Sequence, residues 1–274
     1  SVLPLKPIHN KRPSETSDGL PNLYKKTHTM TAKIRFIFRL LCIAGCLLYG
    51  MAEMFFLFPF YSSKRKLRAI QLWSLRVLAS CGMKLQTFGT PPQEDHGQLI
   101  ISNHISWLDI MAVNGAFPGR FVAKDDVAKW PVVGYLATQA QTVYVSRNRG
   151  IKGNSTKIAG VTEALKNGDT VTIFPEGTRS RGGPVAEFKP GSFKLAYRSD
   201  AAIVPFTIDG TWHVWEEHKR IHSAHLTLTI HKSIPAAGLS KEEQAALPAH
   251  VQKIVESALP KEHLRQATAS IKNV

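Results

Sequence analysis

An apolar run near the N-terminus constrains this chain more than any other feature of its sequence. Between Leu40 and Phe60 the only charged residue is Glu53. As a helix, the run would be roughly 30 Å long, which matches the hydrocarbon core of a bilayer. No small-residue cleavage pattern follows it before Lys64, so a cleaved signal peptide is disfavoured. The sequence therefore predicts a membrane-inserted segment.

How this segment meets the membrane stays open. Gly45, Gly50, Glu53 and Pro59 interrupt the run, which favours a bent or re-entrant segment, whereas its length favours a span. Because basic residues flank both ends, the positive-inside rule gives no orientation. Spanning and monotopic insertion are both compatible with the sequence.

The following stretch, Lys64 to Gly82, predicts an amphipathic helix. Its arginines occupy one arc of roughly 80° and its large apolar residues point elsewhere. Two interpretations are open: a helix at the membrane interface, or a helix packed against a catalytic core. Between Glu53 and Glu94 there are six Lys or Arg and no acidic residue, and such a strip attracts anionic headgroups. The arginines are Arg65, Arg68 and Arg76, and the apolar residues are Ile70, Trp73 and Val77.

Charge and cysteine content narrow the class of protein. The 274 residues include 35 Lys and Arg against 20 Asp and Glu, a net charge of +15, which predicts an anionic partner. A membrane, an acidic small molecule and nucleic acid all satisfy that expectation. Cys42, Cys46 and Cys81 form no metal-site spacing, and their odd number argues against a disulfide framework. A reducing, cytosol-facing catalytic domain fits these features.

Three segments are predicted along the chain. Residues 1–30 are rich in Pro, Ser, Asn and Lys, so we expect a disordered extension or tag, with Met30 as a candidate native start. Residues 31–88 form the membrane-associated helical segment, and residues 89–274 form the catalytic domain. A chain of this length can bury one substantial core.

Beyond residue 89, short apolar strands alternate with helical patterns. This alternation predicts an α/β fold with a mixed central sheet flanked by helices, after the N-terminal membrane-inserted or interfacial segment. The last helix should begin with a capping box of Ser240 and Glu243 and break at Pro248. The predicted strands are residues 98–102, 120–123, 142–145, 170–174, 202–206 and 226–230, and the predicted helices are residues 107–114, 155–166, 192–198 and 241–259.

The first chemical motif, NHISWLDI, follows a predicted strand and contains His104 and Asp109. Residues five apart on a continuous helix lie roughly 140° apart, so these side chains meet only if His104 lies in a loop and Asp109 in the first helical turn. Such a pair suits general-base chemistry, with the carboxylate orienting the imidazole. A structural interpretation competes with this one, because Ser106 and Asp109 have the spacing of a helix-capping pair.

The second motif, TVTIFPEGTRS, runs from an apolar strand into a Pro-Gly turn that carries Glu176, Thr178 and Arg179. A guanidinium binds two phosphate oxygens at once, and a turn can aim its N–H groups at an anion. The motif therefore predicts a phosphate site, with an ordinary surface turn as the alternative.

Together these stretches resemble the glycerophospholipid acyltransferase family, whose best-known bacterial members are 1-acylglycerol-3-phosphate acyltransferases. Four blocks from about residue 100 to about residue 206 follow the family's order: NHISWLD, FVAKDDVAKWPVVGYLATQAQTVYVSRNR, FPEGTRS and IVPFTIDG. The resemblance implies direct transfer of an acyl group from a thioester of acyl carrier protein or coenzyme A to a lysolipid hydroxyl, with no further cofactor.

The resemblance also implies residue roles. His104 matches the family's base, and Asp109 matches the carboxylate that holds its imidazole. Ser146 stands where acidic residues are common in the family, which leaves the identity of the acceptor open. The residues that would bind the acceptor are Arg147, Glu176, Gly177, Thr178 and Arg179, with Lys124 as an assisting residue; a solvated basic turn at Arg147 and a solvated Lys124 are the alternatives.

Lysophosphatidic acid is the expected acceptor, because Arg147 and Arg179 are available as phosphate partners, and lyso-ornithine lipid is the alternative. We expect the partners to be the acyl carrier protein or coenzyme A thioester and membrane lipid, not nucleic acid. The expected location is the cytoplasmic (inner) membrane, with the catalytic domain facing the cytoplasm.

Two other classes of protein fit less of the sequence. His218, His222, His225 and His231 cluster, but the glutamate of zinc proteases is missing from EHKRIH, and no metal is expected. A non-enzymatic protein that binds membranes or nucleic acid would explain the positive charge. No nucleic-acid module is present, and aromatic residues are not interleaved with the basic ones as a stacking platform requires.

Overall fold

The structure, a computed structural model, describes residues 20–91, 97–145, 150–212 and 224–260. The chain divides into two units, residues 1–38 and 39–274. The larger unit contains the central sheet and every side chain discussed below. Its elements follow from the sequence patterns described above, with a few differences that the packing explains.

Two helices precede the sheet. Helix α1 spans Leu20–Phe56, a 3₁₀ turn at Phe58–Phe60 follows, and α2 spans Ser63–Ser80. The part of α1 from Ile34 to Phe56 is 23 residues long with a mean hydropathy of 1.8, so its length and composition suffice to cross a membrane. This stretch meets the expectation of an apolar helical segment.

Helix α2 packs its apolar face on protein. Trp73 donates from Nε1 to the carbonyl of Cys46 at 2.9 Å, and its indole occupies the place where a Cβ on Gly50 would lie. Ile70 and Val77 are buried beside it in the same cluster. The apolar face of α2 thus fits the interpretation of a helix packed against the core, while the arginine face stays exposed.

A mixed seven-stranded sheet forms the centre of the molecule, in the order β1-β7-β6-β2-β5-β3-β4. Five strands, β2 to β6, run parallel to one another. Strand β7 is antiparallel to β6 and parallel to β1. The strands are β1 Met83–Phe88, β2 Gln98–Ser102, β3 Arg120–Lys124, β4 Val143–Val145, β5 Thr170–Ile173, β6 Ala202–Asp209 and β7 Ala224–Ile230.

Helices cover both faces of this sheet. Successive side chains of a strand point to opposite faces, and Leu99, Ile100 and Ile101 of β2 are all fully buried. Leu99 and Ile101 share a cluster with the helices that follow β4, β5 and β7, whereas α2 and α3 lie against one another and against β1. The remaining helices are α3 Leu108–Ala116, α4 Val133–Gln139, α5 Gly150–Lys166, α6 Lys194–Ser199 and α7 Lys241–Glu256.

Besides helix α4, which was not predicted, the structure differs from the sequence-based expectations in four places. Helix α1 already begins at Leu20, inside the segment predicted to be disordered, because extending an existing helix is far easier than nucleating one. It also continues through Gly45, Gly50 and Glu53 without a break. Strand β1 was not predicted, since its buried and exposed residues do not alternate regularly.

Helix α7 is the fourth difference. It runs through Pro248 without a break, although a proline inside a helix removes one backbone hydrogen bond at a cost of about 3 kcal/mol. Leu247, Val251 and Val255 of the same helix are buried against the sheet, and this burial offsets the lost bond. The predicted capping box of Ser240 and Glu243 is present.

Candidate active site

The candidate site lies where the parallel strands end. Because β2 to β6 run in the same direction, their carboxyl ends meet at one edge of the sheet, which is where open α/β sheets bind their ligands. His104 follows β2, Lys124 ends β3, Glu176 follows β5 and Thr211 follows β6. Residues far apart in the sequence are thereby brought to one edge.

His104 and Asp109 are in direct contact. His104 lies in the loop after β2 and Asp109 in the first turn of α3, as their spacing requires. The distance from Nδ1 of His104 to Oδ2 of Asp109 is 2.8 Å. Because a carboxylate only accepts, Nδ1 carries the proton and the lone pair of the imidazole lies on Nε2. The imidazole is 17% exposed, whereas Asp109 is fully buried at 0%.

Four donors hold the carboxylate of Asp109. Besides His104, Oδ2 accepts from the backbone N–H groups of Ile105 at 2.6 Å and Ser106 at 2.9 Å. Oδ1 accepts from the hydroxyl of Thr211 at 2.6 Å. The hydroxyl of Ser106 in turn accepts from the N–H of Leu108 at 3.1 Å. Asp109 therefore orients the imidazole and holds the loop before α3, whereas the N-cap residue of α3, Trp107, has no side-chain cap hydrogen bond.

Glu176 points into the protein. It is 1% exposed; its Oε1 accepts from the backbone N–H of His104 at 2.6 Å and its Oε2 from that of Ala186 at 2.8 Å. Burial raises the pKa of Glu176 to about 7, the two backbone hydrogen bonds lower it in part, and the charge of Asp109 raises it further. Both oxygens accept from the backbone, so this geometry gives Glu176 a structural role, and its role in binding the acceptor stays a prediction.

The turn of the second motif is joined to the loop that carries His104. Ser180 donates its N–H to the carbonyl of His104 at 2.7 Å, and Arg181 donates to Ile105 at 3.3 Å. Gly182 has a φ of 81°, and the indole of Trp212 occupies the space that a side chain at this position would fill. The two motifs therefore form one rigid pair of loops.

Two residues that the sequence reasoning missed position the dyad. The ring of Phe174 stacks on the imidazole of His104, with centroids 4.1 Å apart and planes inclined by 12°. Thr211 donates to Asp109 across 102 positions of sequence. A signal existed for each: an aromatic residue directly after β5, and a polar residue after β6, both at the edge where ligands bind.

The other predicted binding residues lie at or near the surface of the same edge. Thr178 and Arg179 are exposed on the turn, and Gly177 has the left-handed φ of 67° that the turn requires. Lys124 is exposed at the end of β3. Its assisting role in binding the acceptor therefore stays a prediction, with a lysine that only contacts solvent as the alternative. Arg147 and Ser146 lie outside the described residues.

The metal interpretation finds no support in the part of the chain that the structure describes. There, no group of three or more His, Cys, Asp or Glu side chains is arranged to hold an ion. His231 is hydrogen-bonded to the hydroxyl of Thr207 at 2.8 Å. His218 and His222 lie outside the described residues.

This arrangement has the parts that general-base activation of a hydroxyl needs. A fixed tautomer leaves Nε2 as the proton acceptor, and a buried anion stabilises the imidazolium that forms. The exposed Arg179 directly precedes Ser180, whose N–H donates to the carbonyl of His104. Thr178 and Arg179, which are exposed on the neighbouring turn, can bind an anionic group.

Comparison with known proteins agrees with this geometry. The family model described as Acyltransferase matches residues 85–209, which include both motifs. The part of the chain that is similar to acyltransferases is therefore the part that forms most of the α/β sheet. This match agrees with the resemblance of its four blocks to the glycerophospholipid acyltransferase family.

Relatives in this family differ in their named acceptors. A 1-acyl-sn-glycerol-3-phosphate acyltransferase of Neisseria gonorrhoeae is 33% identical over 143 residues, 52% of this chain and 55% of the relative. A lyso-ornithine lipid O-acyltransferase of Pseudomonas aeruginosa is 30% identical over 142 residues, 52% of this chain and 53% of the relative. The chain thus spans about half the length of the curated relatives it matches.

A solved structure shares the fold of this chain over nearly the whole length of the solved protein. The 1-acyl-sn-glycerophosphate (LPA) acyltransferase PlsC of Thermotoga maritima superimposes with a TM-score of 0.68 at 26% identity, covering 82% of this chain and 95% of that one. The predicted fold class, a mixed sheet flanked by helices, is confirmed.

Proposed function

We propose that this chain transfers a fatty acyl group from an acyl thioester to the hydroxyl of lysophosphatidic acid at a membrane surface, giving phosphatidic acid. The observation that carries the proposal is the 2.8 Å contact between Nδ1 of His104 and a fully buried Asp109. A hydroxyl is a poor nucleophile at neutral pH, and a positioned imidazole removes that obstacle.

The transfer follows from this contact. Nε2 of His104 takes the proton of the acceptor hydroxyl while the oxygen attacks the thioester carbonyl. The tetrahedral intermediate collapses, the carbon–sulfur bond breaks, and the imidazolium returns the proton to the leaving thiolate. Asp109 stabilises the imidazolium throughout and is not itself protonated. The acyl group is never bonded to the protein.

The phosphate of the acceptor is assigned to the turn that carries Gly177, Thr178 and Arg179. An exposed guanidinium can form a bidentate contact with a phosphate. Ser180, the next residue, donates to the carbonyl of His104, so a phosphate bound at Arg179 would lie near the base. Arg147, which the family resemblance assigns to the same acceptor, belongs to this proposal as well.

The donor and the membrane complete the proposal. The donor is an acyl carrier protein or coenzyme A thioester, and no further cofactor takes part. The apolar helix α1 holds the chain at the cytoplasmic membrane, and the basic face of α2 lies against anionic headgroups on the cytoplasmic side. A net charge of +15 supports an anionic surface as the partner.

Lyso-ornithine lipid is a second candidate acceptor. The relatives named for that reaction match the same region of the chain at a similar identity, 30% over 142 residues in one case. This acceptor also offers a hydroxyl to the base, but its headgroup carries no phosphate. An arginine whose task is to bind phosphate would then have no partner, which is why lysophosphatidic acid is preferred.

An acceptor panel tests the proposal. Purified protein in vesicles, supplied with an acyl thioester, should acylate lysophosphatidic acid in preference to lyso-ornithine lipid and glycerol 3-phosphate. Arg179→Ala should raise the KM for lysophosphatidic acid by about tenfold or more, because charge-assisted hydrogen bonds contribute roughly 1.5–3 kcal/mol. Arg198→Ala, a basic residue of α6 away from the motifs, is the matched control.

Three outcomes would contradict these assignments. Preference for the phosphate-free acceptor would reject lysophosphatidic acid while keeping the acyl transfer. An effect of Arg179→Ala confined to the KM for the thioester would reject the phosphate role of the turn. Salt-sensitive binding of nucleic acid, without any acyl transfer, would favour the non-enzymatic alternative.

A further inference from the structure

A short apolar stretch that leads into α4 and includes its first turn lies on the surface of the catalytic domain. It comprises residues 130–135, with the sequence WPVVGY, and is called the Trp130 loop here. Trp130 is 50% exposed, and Val133 and Tyr135 are exposed as well. Single exposed apolar residues are normal on a soluble surface, whereas three large exposed apolar side chains within six residues need an explanation.

The inner side of the Trp130 loop packs on the N-terminal helices. Val132 and the adjacent Leu136 belong to the cluster that contains Met54 of α1 and Phe58 of the 3₁₀ turn. On the outside of that cluster, four further large apolar side chains at the end of α1 and in the 3₁₀ turn are exposed. The Trp130 loop and the end of α1, each with an exposed outer side, therefore both pack on the same hydrophobic cluster. The four residues are Phe55, Phe56, Leu57 and Phe60.

The backbone of the loop is held in an unusual conformation. Val132 has a φ of 63° and a ψ of −60°, and the N–H of Val133 donates to the carbonyl of Pro131 at 2.6 Å. This is a γ-turn with positive φ, a rare and strained form. A β-branched residue at such a position costs about 1–3 kcal/mol. The fold thus keeps Val132 packed inside while its neighbours stay exposed.

The charges around the surface suit an anionic bilayer. Lys129, directly before the loop, is 80% exposed, and α2 exposes Lys64, Arg65 and Arg68 on its polar face. Opposing charges are Asp125 and Asp126 in the 3₁₀ turn before the loop, and Asp126 is paired with Lys129 at 4.0 Å. Tryptophan and tyrosine, each with an apolar ring and a polar tip, are the residues enriched at the boundary between headgroups and acyl chains.

The same cluster reaches the candidate active site. Trp107, which lies between His104 and Asp109 in the first motif, and Met111 of α3 pack against it. A bilayer touching the Trp130 loop and the end of α1 would therefore lie next to the loop that carries the base. An acceptor whose acyl chain stays in the membrane needs such a position to present its hydroxyl.

We propose that the Trp130 loop is a second membrane contact, which enters the headgroup–acyl boundary of an anionic bilayer beside the end of α1. This inference rests on the proposed function, because it presumes a lipid acceptor. It adds that the catalytic domain itself touches the bilayer, besides the first contact, which the N-terminal helices α1 and α2 make.

Brominated lipids, which quench tryptophan fluorescence within the acyl region, test this proposal. The whole protein is placed in phosphatidylglycerol-containing vesicles with and without bromine on the acyl chains. The emission lost in Trp130→Phe identifies the contribution of Trp130, and we expect that contribution to be quenched strongly. The matched control is Phe88→Trp in the Trp130→Phe background, because Phe88 is 46% exposed on β1, at the other edge of the sheet. Its added emission should not be quenched.

Equal, weak quenching at positions 130 and 88 would overturn the proposal. Acyl transfer measured on the same vesicles separates it from the proposed function: active protein with unquenched Trp130 rejects only this inference, and quenched Trp130 without any acyl transfer rejects only the function. As a second measurement, Trp130→Ser with Tyr135→Ser should raise the KM for vesicle-bound lysophosphatidic acid several-fold and leave the KM for a soluble short-chain acceptor unchanged. An equal rise for both acceptors would also contradict the contact.

Discussion

The edge of the sheet around His104 buries polar groups, whereas the surface at the end of α1 exposes apolar ones. At the dyad, polar groups are buried and each has a partner: Asp109 has four donors and Glu176 has two. At the end of α1, large apolar side chains such as Phe55 and Phe60 are exposed. Internal hydrogen bonds hold the side chains of the first region in place, whereas the apolar side chains of the second region have exposed surface that the protein itself does not cover. Substitutions in the two regions should therefore fail in different ways.

Loss of the base should have the largest effect. His104→Ala should lower kcat by about 10²–10⁴-fold, the usual contribution of general-base catalysis, and leave the thermal unfolding and the membrane association unchanged. A parallel assay of vesicle flotation and acyl transfer measures both. Substantial residual turnover would refute the general-base role, and loss of flotation would show that the two regions are not independent.

Glu176 should make stability depend on pH. Its pKa rises from 4.5 to about 7 on folding, so the folded state binds the extra proton and is stabilised below pH 4.5. That contribution, about 3 kcal/mol at 1.36 kcal/mol per unit, is lost as the pH rises through about 7. Chemical unfolding of the wild type and Glu176→Gln across this range checks whether the free energy of unfolding of the wild type falls as the pH rises.

The glutamine variant should lack this component of the pH dependence. It should also show a pH-independent loss, because its amide N–H group faces a backbone donor, either His104 or Ala186. Parallel curves for the two proteins between pH 4.5 and 7 would show that Glu176 keeps an ordinary pKa despite its burial.

Thr211 should affect turnover more than binding. Thr211→Val keeps the shape of the side chain but removes the donor to Asp109, and hydrogen bonds to charged groups contribute roughly 1.5–3 kcal/mol. We expect kcat to fall about tenfold or more with little change in the KM for either substrate. Thr211→Ser, which restores the hydroxyl, should recover most of the loss; a serine variant as slow as the valine variant would indicate a packing role only.

Polar substitutions on the exposed surface should have the smallest effect on folding. Phe55→Ser with Phe56→Ser removes apolar side chains that are about two-thirds exposed, 66% and 65%, so the free energy of unfolding in detergent should change by less than about 0.5 kcal/mol per site. Recovery in the membrane fraction should nevertheless decrease. A large loss of stability in detergent would show that these residues are packed on protein.

Much of the site could be predicted because its signals are local. The spacing of His104 and Asp109 required a loop followed by a first helical turn, and the structure has both. The Pro-Gly turn with Arg179 is exposed beside this loop. The role of Glu176 was not predictable in this way, because the motif states that a carboxylate is present but not whether it points to solvent or to the backbone of another loop.

By itself, the sequence determined the elements whose patterns span a few neighbouring residues. These are the apolar helix, the short apolar strands that alternate with helices, the capping box at Ser240 and the two motifs. Only the tertiary structure decided which distant groups meet: Thr211 with Asp109, Phe174 with His104, and the Trp130 loop with the end of α1. The physical reason is that periodicity and capping act between residues a turn or a strand apart. Contacts across 70 or 100 residues depend on how the parallel strands order themselves in the sheet.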